Sequence, residues 1–314
     1  MISSYRYIIF SLSIPPTILT IAGNIIFFIT LLKTPSLHTP SNTLLGALCV
    51  TDLLAGLVCQ PLSMSVLLSK PAPCCPPLLI AYDISFKLSS ANSFVYSLLI
   101  TLDRYVAIQY PYQYLEYASC TKYAYTATGL FILSTIYAML EERLYFSSVV
   151  TFWGIAACVQ LLIFLAVLTT YAKICIVMFS KRKRIVPVTH PGFKKESKIS
   201  KEEKIRTDTV IIILAAFFLC YTPYFVHTIQ VFLFLLGKGK YNSMLGLWAN
   251  YFVLLNSCFN PIIYCARNHK IRRAALKTFL PRLLYGRSSA TTVTNTAGTT
   301  NTMRTSSSSI APAR

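Results

Sequence analysis

Residues 7–32 read YIIFSLSIPPTILTIAGNIIFFITLL, a run without one charged side chain. A bilayer's hydrocarbon core takes about 20 apolar residues wound as a helix, whereas the apolar part of a secretory leader is only about 7–15 residues long. The run is too long for a leader and has no convincing small-residue cleavage site, so it reads as a first spanning helix. Six further apolar blocks follow at about 43–68, 78–109, 122–140, 149–179, 207–236 and 244–266. The fourth is the weakest, diluted by Thr and Tyr. Composition agrees: 12% of the 314 residues are charged, about half the share in a soluble domain. These features predict an all-α membrane protein, a seven-helix transmembrane bundle.

Seven spans place the two ends on opposite sides of the membrane, and Lys and Arg decide which is which. With the N-terminus outside, the outer segments hold Arg6, Lys70, Arg143, Lys238 and Lys240. The inner segments then hold Lys33, Arg104, Lys122, the run Lys181-Arg182-Lys183-Arg184, six more basic residues up to Arg206, and every one from Arg267 onward. This bias predicts an extracellular N-terminus and a cytosolic C-terminus. It also accounts for the net charge of +19 without nucleic acid. Residues 1–6 read as a short outer tail, too small to capture a large ligand, and 7–280 as the bundle plus one more helix. That helix, from Arg267 to Leu280, is basic on one side and apolar on the other, which suits an eighth helix lying on the anionic inner leaflet. Pro281 ends it, and 281–314, rich in Ser and Thr, reads as a disordered cytosolic tail. Residues 141–148 read as a very short outer loop and 180–206 as a basic inner loop.

Most of the ten cysteines lie within apolar blocks, where cysteine behaves as a small hydrophobe. Only Cys74 and Cys75 sit in a polar, Pro-rich loop, and adjacent cysteines rarely pair with each other. No metal spacing and no nucleophile–base set is visible, so an enzyme is not expected.

Asp52 stands near the middle of the second block, in Leu48-Cys49-Val50-Thr51-Asp52-Leu53-Leu54. A charge at that depth costs several kcal/mol, of order 2.5–3.5 at a helix centre, and marks function by default. Candidate partners at similar depth are Asn24, Ser93, Asn256 and Asn260. Further along stand Asp103-Arg104-Tyr105-Val106-Ala107-Ile108, Tyr171, Phe217 with Cys220-Tyr221-Thr222-Pro223, and Asn260-Pro261-Ile262-Ile263-Tyr264. With Gly23-Asn24 and Leu48 near Asp52, these motifs in this order resemble the rhodopsin-like (class A) G-protein-coupled receptors over about 260 residues.

The resemblance implies a plasma-membrane receptor that passes an outer signal to heterotrimeric G proteins by outward movement of the sixth span. It implies that Arg104, with Asp103 as neighbour and Glu203 as opposing acid, clamps the third span to the sixth in the off state. Pro223 and Pro261 would kink their helices; Phe217 and Tyr221 would relay the ligand, and Tyr264 would turn inward toward Tyr171. Most relatives have Trp where Tyr221 stands. Pro111 and Tyr112 occupy the second inner loop, where relatives insert a bulky apolar residue into the G protein. Asp52, Ser93, Asn256 and Asn260 resemble a sodium pocket, the one cofactor-like ion implied; the plainer reading is a watered polar network. Receptor kinases and arrestin are implied partners through the Ser/Thr tail, and membrane lipids through the basic helix.

The outer half departs from the family. The disulfide cysteine expected twenty-five positions before Arg104 is Leu79, and 141–148 holds no cysteine, so no disulfide is expected. The fourth span lacks the family's Trp, and Ile163 stands at the usual Pro position of the fifth. These departures resemble the melanocortin, cannabinoid, lysophospholipid and adenosine receptors. Asp83 and His227 lean toward melanocortin receptors, yet Leu62 and Leu79 replace their other calcium-binding acids. Aminergic receptors carry an Asp where Phe86 stands, and opsins a Schiff-base Lys where Leu254 stands. Lys87 either pairs with Asp83 at i, i+4 or meets an acidic ligand. The implied pocket is Asp83, Phe86, Lys87, Tyr221, Tyr224, His227 and Leu254, for a peptide, lipid or nucleoside-like ligand. The alternatives are a non-coupling seven-helix decoy and, more remotely, a transporter.

Overall fold

The computed structural model describes residues 2–69, 76–184 and 194–280; side chains are described there except at 2–3, 76, 141–147, 174–175, 177–184, 194–211 and 213–214. The disordered-tail expectation for 281–314 and the pairing of Cys74 and Cys75 lie outside the described residues.

The first span is α1 (Ile2–Lys33). The second consists of α2 (Pro40–Leu54), one π-helical turn (Ala55–Cys59) and α3 (Gln60–Leu68). The third is α4 (Pro76–Gln109), followed by a short helix α5 (Pro111–Tyr117). The remaining spans are α6 (Cys120–Ser147), α7 (Val149–Arg184), α8 (Lys194–Leu235) and α9 (Ser243–Arg267), with α10 (His269–Phe279) after them. All seven apolar blocks are thus helical.

The loops are shorter than the sequence indicates. Helix α6 runs through the expected outer loop to Ser147, and only Ser148 separates it from α7. The Ser148 hydroxyl accepts from Thr151 N at 3.4 Å and caps the new helix. Likewise α7 and α8 extend into the basic segment expected as loop, to Arg184 and from Lys194. The cause is the same: no Gly or Pro breaks the chain at the end of its apolar run, and Lys, Arg and Glu are good helix formers. Asn268, in turn, stops α9 and caps α10, its side chain accepting from Lys270 N and Ile271 N. Ile271 is buried while Lys270, Arg272 and Arg273 are exposed, so α10 has the expected two faces.

The bundle is apolar outside, and its interior holds polar side chains among apolar clusters. Leu162, Leu219, Ile18 and Leu133 are more than half exposed, while Asn24, Asp52, Asn92, Ser93, Asn256 and Asn260 are buried. That inversion of a soluble protein suits lipid surroundings. Among the described residues five helices are long and apolar enough to cross a membrane; α4 and α9 are not among them. Helix α4 lies centrally, against α2, α6, α7 and α8, and buries Ser90, Asn92, Ser93, Ser97 and Thr101. Its polarity belongs to its position in the interior.

Small residues set the closest approaches. A Cβ on Gly23 would stand 2.8 Å from Pro261 Cγ, and one on Gly46 2.9 Å from a Leu31 methyl. Gly23 therefore lets α1 meet α9 at the proline of the seventh span.

Candidate functional site

At one end of the bundle α4 carries Asp103 and Arg104, both buried. Arg104 donates from Nε to Asp103 Oδ2 at 2.8 Å and pairs with it again through a second guanidinium nitrogen. The carboxylate also accepts from the Ser41 hydroxyl (2.9 Å, from α2) and from the Tyr114 hydroxyl (2.9 Å, from α5). Buried charge demands such pairing. Arg104 is therefore not the snorkelling arginine that its place at a helix end would also allow. Burial and the neighbouring Asp103 charge push the Tyr114 hydroxyl above its ordinary pKa, which keeps it protonated as a donor. Ser41 and Tyr114 escaped the sequence reading: Ser41 lies 62 positions from Asp103, and no local pattern connects them.

Tyr112 is 88% exposed beside Pro111 at the start of α5, and Leu115 is nearly as exposed. Glu203 lies on α8, but its side chain is outside those described. Tyr105 is partly buried.

In the middle of the bundle, Asn260 Nδ2 donates to Asp52 Oδ2 at 2.7 Å. Asn24 donates to Thr20 O and Ser257 O, tying α1 to α9. Asp52 Oδ1 and Asn24 Oδ1 are buried without a hydrogen-bond partner. Gln60 joins this seam, donating to Leu254 O at 3.0 Å. Eight positions from Asp52, Gln60 would sit about 80° away round a regular helix; the extra residue of the π turn reduces that to about 20°. The turn thus brings both side chains to the interior. Asn256 is buried nearby in sequence, and Ser93 is also buried.

Tyr221 stacks on Phe217 (centroids 4.3 Å apart) and meets Phe94 edge-on at 4.4 Å. Leu254 belongs to the same apolar cluster. Tyr264 packs instead on Phe27, Cys49 and Ile271, and Tyr171 against a third cluster around Leu48 and Val167. The two tyrosines thus belong to different clusters, and the Tyr264 hydroxyl is buried without a hydrogen-bond partner.

Toward the other end, a cavity of about 220 Å³ is lined by Tyr82, Asp83, Phe86, Lys87, Phe152, Trp153, Tyr224, His227 and Asn250. Five of the seven residues expected in a pocket line it. Tyr221 and Leu254 do not; they lie in the cluster with Phe86 and Phe94. Tyr82, Phe152, Trp153 and Asn250 were missed because an aromatic or amide on a lipid-length helix carries no mark of the face it presents. A second cavity, of about 400 Å³, continues between α4, α6 and α7 and shares Lys87, Phe152, Trp153 and Tyr224 with the first. Among the described side chains no cysteine is in a disulfide.

His227 is 7% exposed and lies against Gly246, where a Cβ would stand 2.7 Å from the ring. Gly246→Ala is expected to displace the imidazole and to destabilise the protein by about 1–3 kcal/mol through overpacking. Thermal unfolding checks this, and adding His227→Ala should recover most of the loss. No recovery would place the strain elsewhere.

A family model described as 7 transmembrane receptor (rhodopsin family) matches residues 23–264. Trace amine-associated receptor 7e of Rattus norvegicus is 25% identical, over 87% of this chain and 82% of its own length. Trace amine-associated receptor 7c of the same species is 26% identical, over 79% and 75%. The histamine H2 receptor of Cavia porcellus is 26% identical, over 85% and 77%. The match runs from the glycine of Gly23-Asn24 to Tyr264 and takes in every span: the chain belongs to the rhodopsin family of seven-transmembrane receptors.

Proposed function

We propose that this ligand-activated, G-protein-coupled receptor of the plasma membrane takes its ligand at the Lys87–His227 end and works the G protein from the Asp103–Arg104 end. The observation that carries the reading is α4 itself. One continuous helix lines the cavity with Asp83, Phe86 and Lys87 and sixteen residues past Lys87 buries Asp103, about 24 Å away. A ligand shifts the balance between two states by its differential affinity for them. The clusters around Tyr221 and Asp52 lie between, and Pro223 and Pro261, inside α8 and α9, each remove a backbone hydrogen bond at which the helix could bend. Asp103–Arg104, Ser41 and Tyr114 hold the off state together with Glu203, and Pro111 and Tyr112 meet the G protein. The lysine and arginine bias puts the cavity outside and α10 on the inner leaflet. Residues 281–314 form a tail for receptor kinases and arrestin.

Asp52, Ser93, Asn256 and Asn260 form the proposed sodium site. The unpartnered oxygens of Asp52 and Asn24 support it, since a hard cation takes oxygen ligands.

The finer grouping stays with the melanocortin, cannabinoid, lysophospholipid and adenosine receptors. Asp83 and His227 face one cavity, but Leu62 packs on the apolar cluster where a calcium-binding acid would be needed. An amine ligand is disfavoured, although the similar proteins are named for trace amines and histamine: the position of the aminergic acid is the buried Phe86. Reconstitution of the purified chain with a panel of heterotrimeric G proteins tests the reading. Glu203→Ala is expected to raise agonist-free nucleotide exchange several-fold, as loss of about 1 kcal/mol from the off state requires. Unchanged basal exchange at matched expression would remove Glu203 from the clamp, and no exchange with any G protein would favour a decoy.

A further inference from the structure

The two cavities adjoin at Lys87, and what they are made of differs. The first holds Asp83, Lys87 and His227; the second, among the described residues, has no Asp or Glu in its lining and is walled by Phe94, Val95, Leu133, Val159 and Ile163. The Lys87 ammonium sits 4.9 Å from the centre of the Phe152 ring, at the junction. From there the second cavity follows α4 to Val95, eight residues or about 12 Å further. We infer that the joined cavities bind an anionic amphiphile, its carboxylate or phosphate at Lys87 and its apolar body between α4, α6 and α7. The inference rests on the proposed reading of this end as the ligand entrance.

Charge decides the class. Anything whose apolar body fills the second cavity and whose head remains in the first must pass the Lys87 ammonium. An anion gains there, because an ammonium has three donors and can serve Asp83 and a ligand together. A cationic head can meet Asp83 in the first cavity, but Lys87 repels it at the junction, and among the described residues no carboxylate stands deeper in the lining. A wholly apolar ligand leaves the ammonium desolvated beside it. Among the described residues, Arg6, Lys238 and Lys240 flank this end and steer anions toward it. Two unpartnered buried atoms mark polar points along the path: His227 Nδ1 in the first cavity and Gln160 Oε1 in the second. The Gln160 oxygen suits a hydroxyl or amide N–H on the ligand's body.

The chain's two tryptophans make the test direct: Trp153 lines both cavities, and Trp248→Phe leaves it as the sole reporter. Full-length receptor carrying that change is placed in phosphatidylcholine nanodiscs without G protein. It is titrated with dodecanoate, dodecyl phosphate, dodecyltrimethylammonium, dodecanol and 4-phenylbutyrate. The two dodecyl anions should change Trp153 fluorescence saturably and the cation should not. Binding of 4-phenylbutyrate as tightly as dodecanoate would identify a soluble organic acid as the source; binding of the long chains alone would identify a bilayer lipid. Lys87→Gln should weaken the anions about tenfold or more and leave dodecanol unchanged. Ala91→Leu, which fills the second cavity, should weaken dodecanoate while Lys87 is intact. Equal binding of the cation, or anion binding untouched by either variant, overturns the inference. Anion binding without exchange in the reconstituted system would instead overturn the coupling reading and leave the ligand class standing.

Discussion

An Arg104→Ala receptor is expected to bind ligand normally and to leave G-protein nucleotide exchange at the rate of the G protein alone. Arg104 is the one residue of the buried cluster whose charge is permanent, and in this structure that charge is spent on Asp103. Alanine removes the group that the opened bundle would present to the G protein. The fold should tolerate it better than most losses of a buried charge, because Asp103 keeps the Ser41 and Tyr114 hydroxyls as donors. Lys87 lies about 25 Å from Arg104 along α4 by helix rise, and Trp153 and His227 line the same cavity as Lys87, so the ligand cavity should be unaffected. Guanine-nucleotide exchange measured at matched surface expression, alongside ligand binding, checks both halves. Exchange at the parental rate would end the proposed mechanism.

Asp103→Asn acts on the same cluster with the opposite sign. Asparagine keeps the size of the side chain and loses its charge, which leaves the buried Arg104 guanidinium without its counter-ion. Breaking a buried pair from one side destabilises by about 3–5 kcal/mol. The molecule escapes part of that by moving to the state in which Arg104 faces the cytosolic cleft. If even about 1.4 kcal/mol of the strain is specific to the off state, its population falls tenfold relative to the active one. Agonist-free exchange should therefore rise about tenfold, with a lower thermal unfolding midpoint. A stable variant with parental basal exchange would show that the Asp103–Arg104 pair is equally strong in both states and is no switch.

The fold was legible because it rests on length and polarity alone. Each of the seven helices coincides with an apolar block, and helix ends such as Asn268 follow from local capping chemistry. The loops at 141–148 and 180–206 were misjudged for a related reason: a drop in hydropathy marks the membrane boundary, whereas a helix ends only where the backbone is broken or capped. The pocket was half legible. Asp83 and His227 stood out through the resemblance to melanocortin receptors and Lys87 as a charge inside a span, and all three line one cavity. Tyr82, Phe152, Trp153 and Asn250 did not, because nothing in composition separates an aromatic turned inward from one turned to lipid.

By itself the sequence determined the seven spans, the buried acid Asp52 and the family motifs at Asp103-Arg104-Tyr105 and Asn260-Pro261, since charge in a bilayer is costly enough to stand out residue by residue. Only the tertiary structure decided that Arg104 is held by Asp103 with Ser41 and Tyr114 around it, that a π turn brings Gln60 onto the face of Asp52, and that Lys87 stands where two cavities meet. These are contacts between helices distant in the chain. Their energies depend on distance and burial, which packing sets and no local pattern encodes.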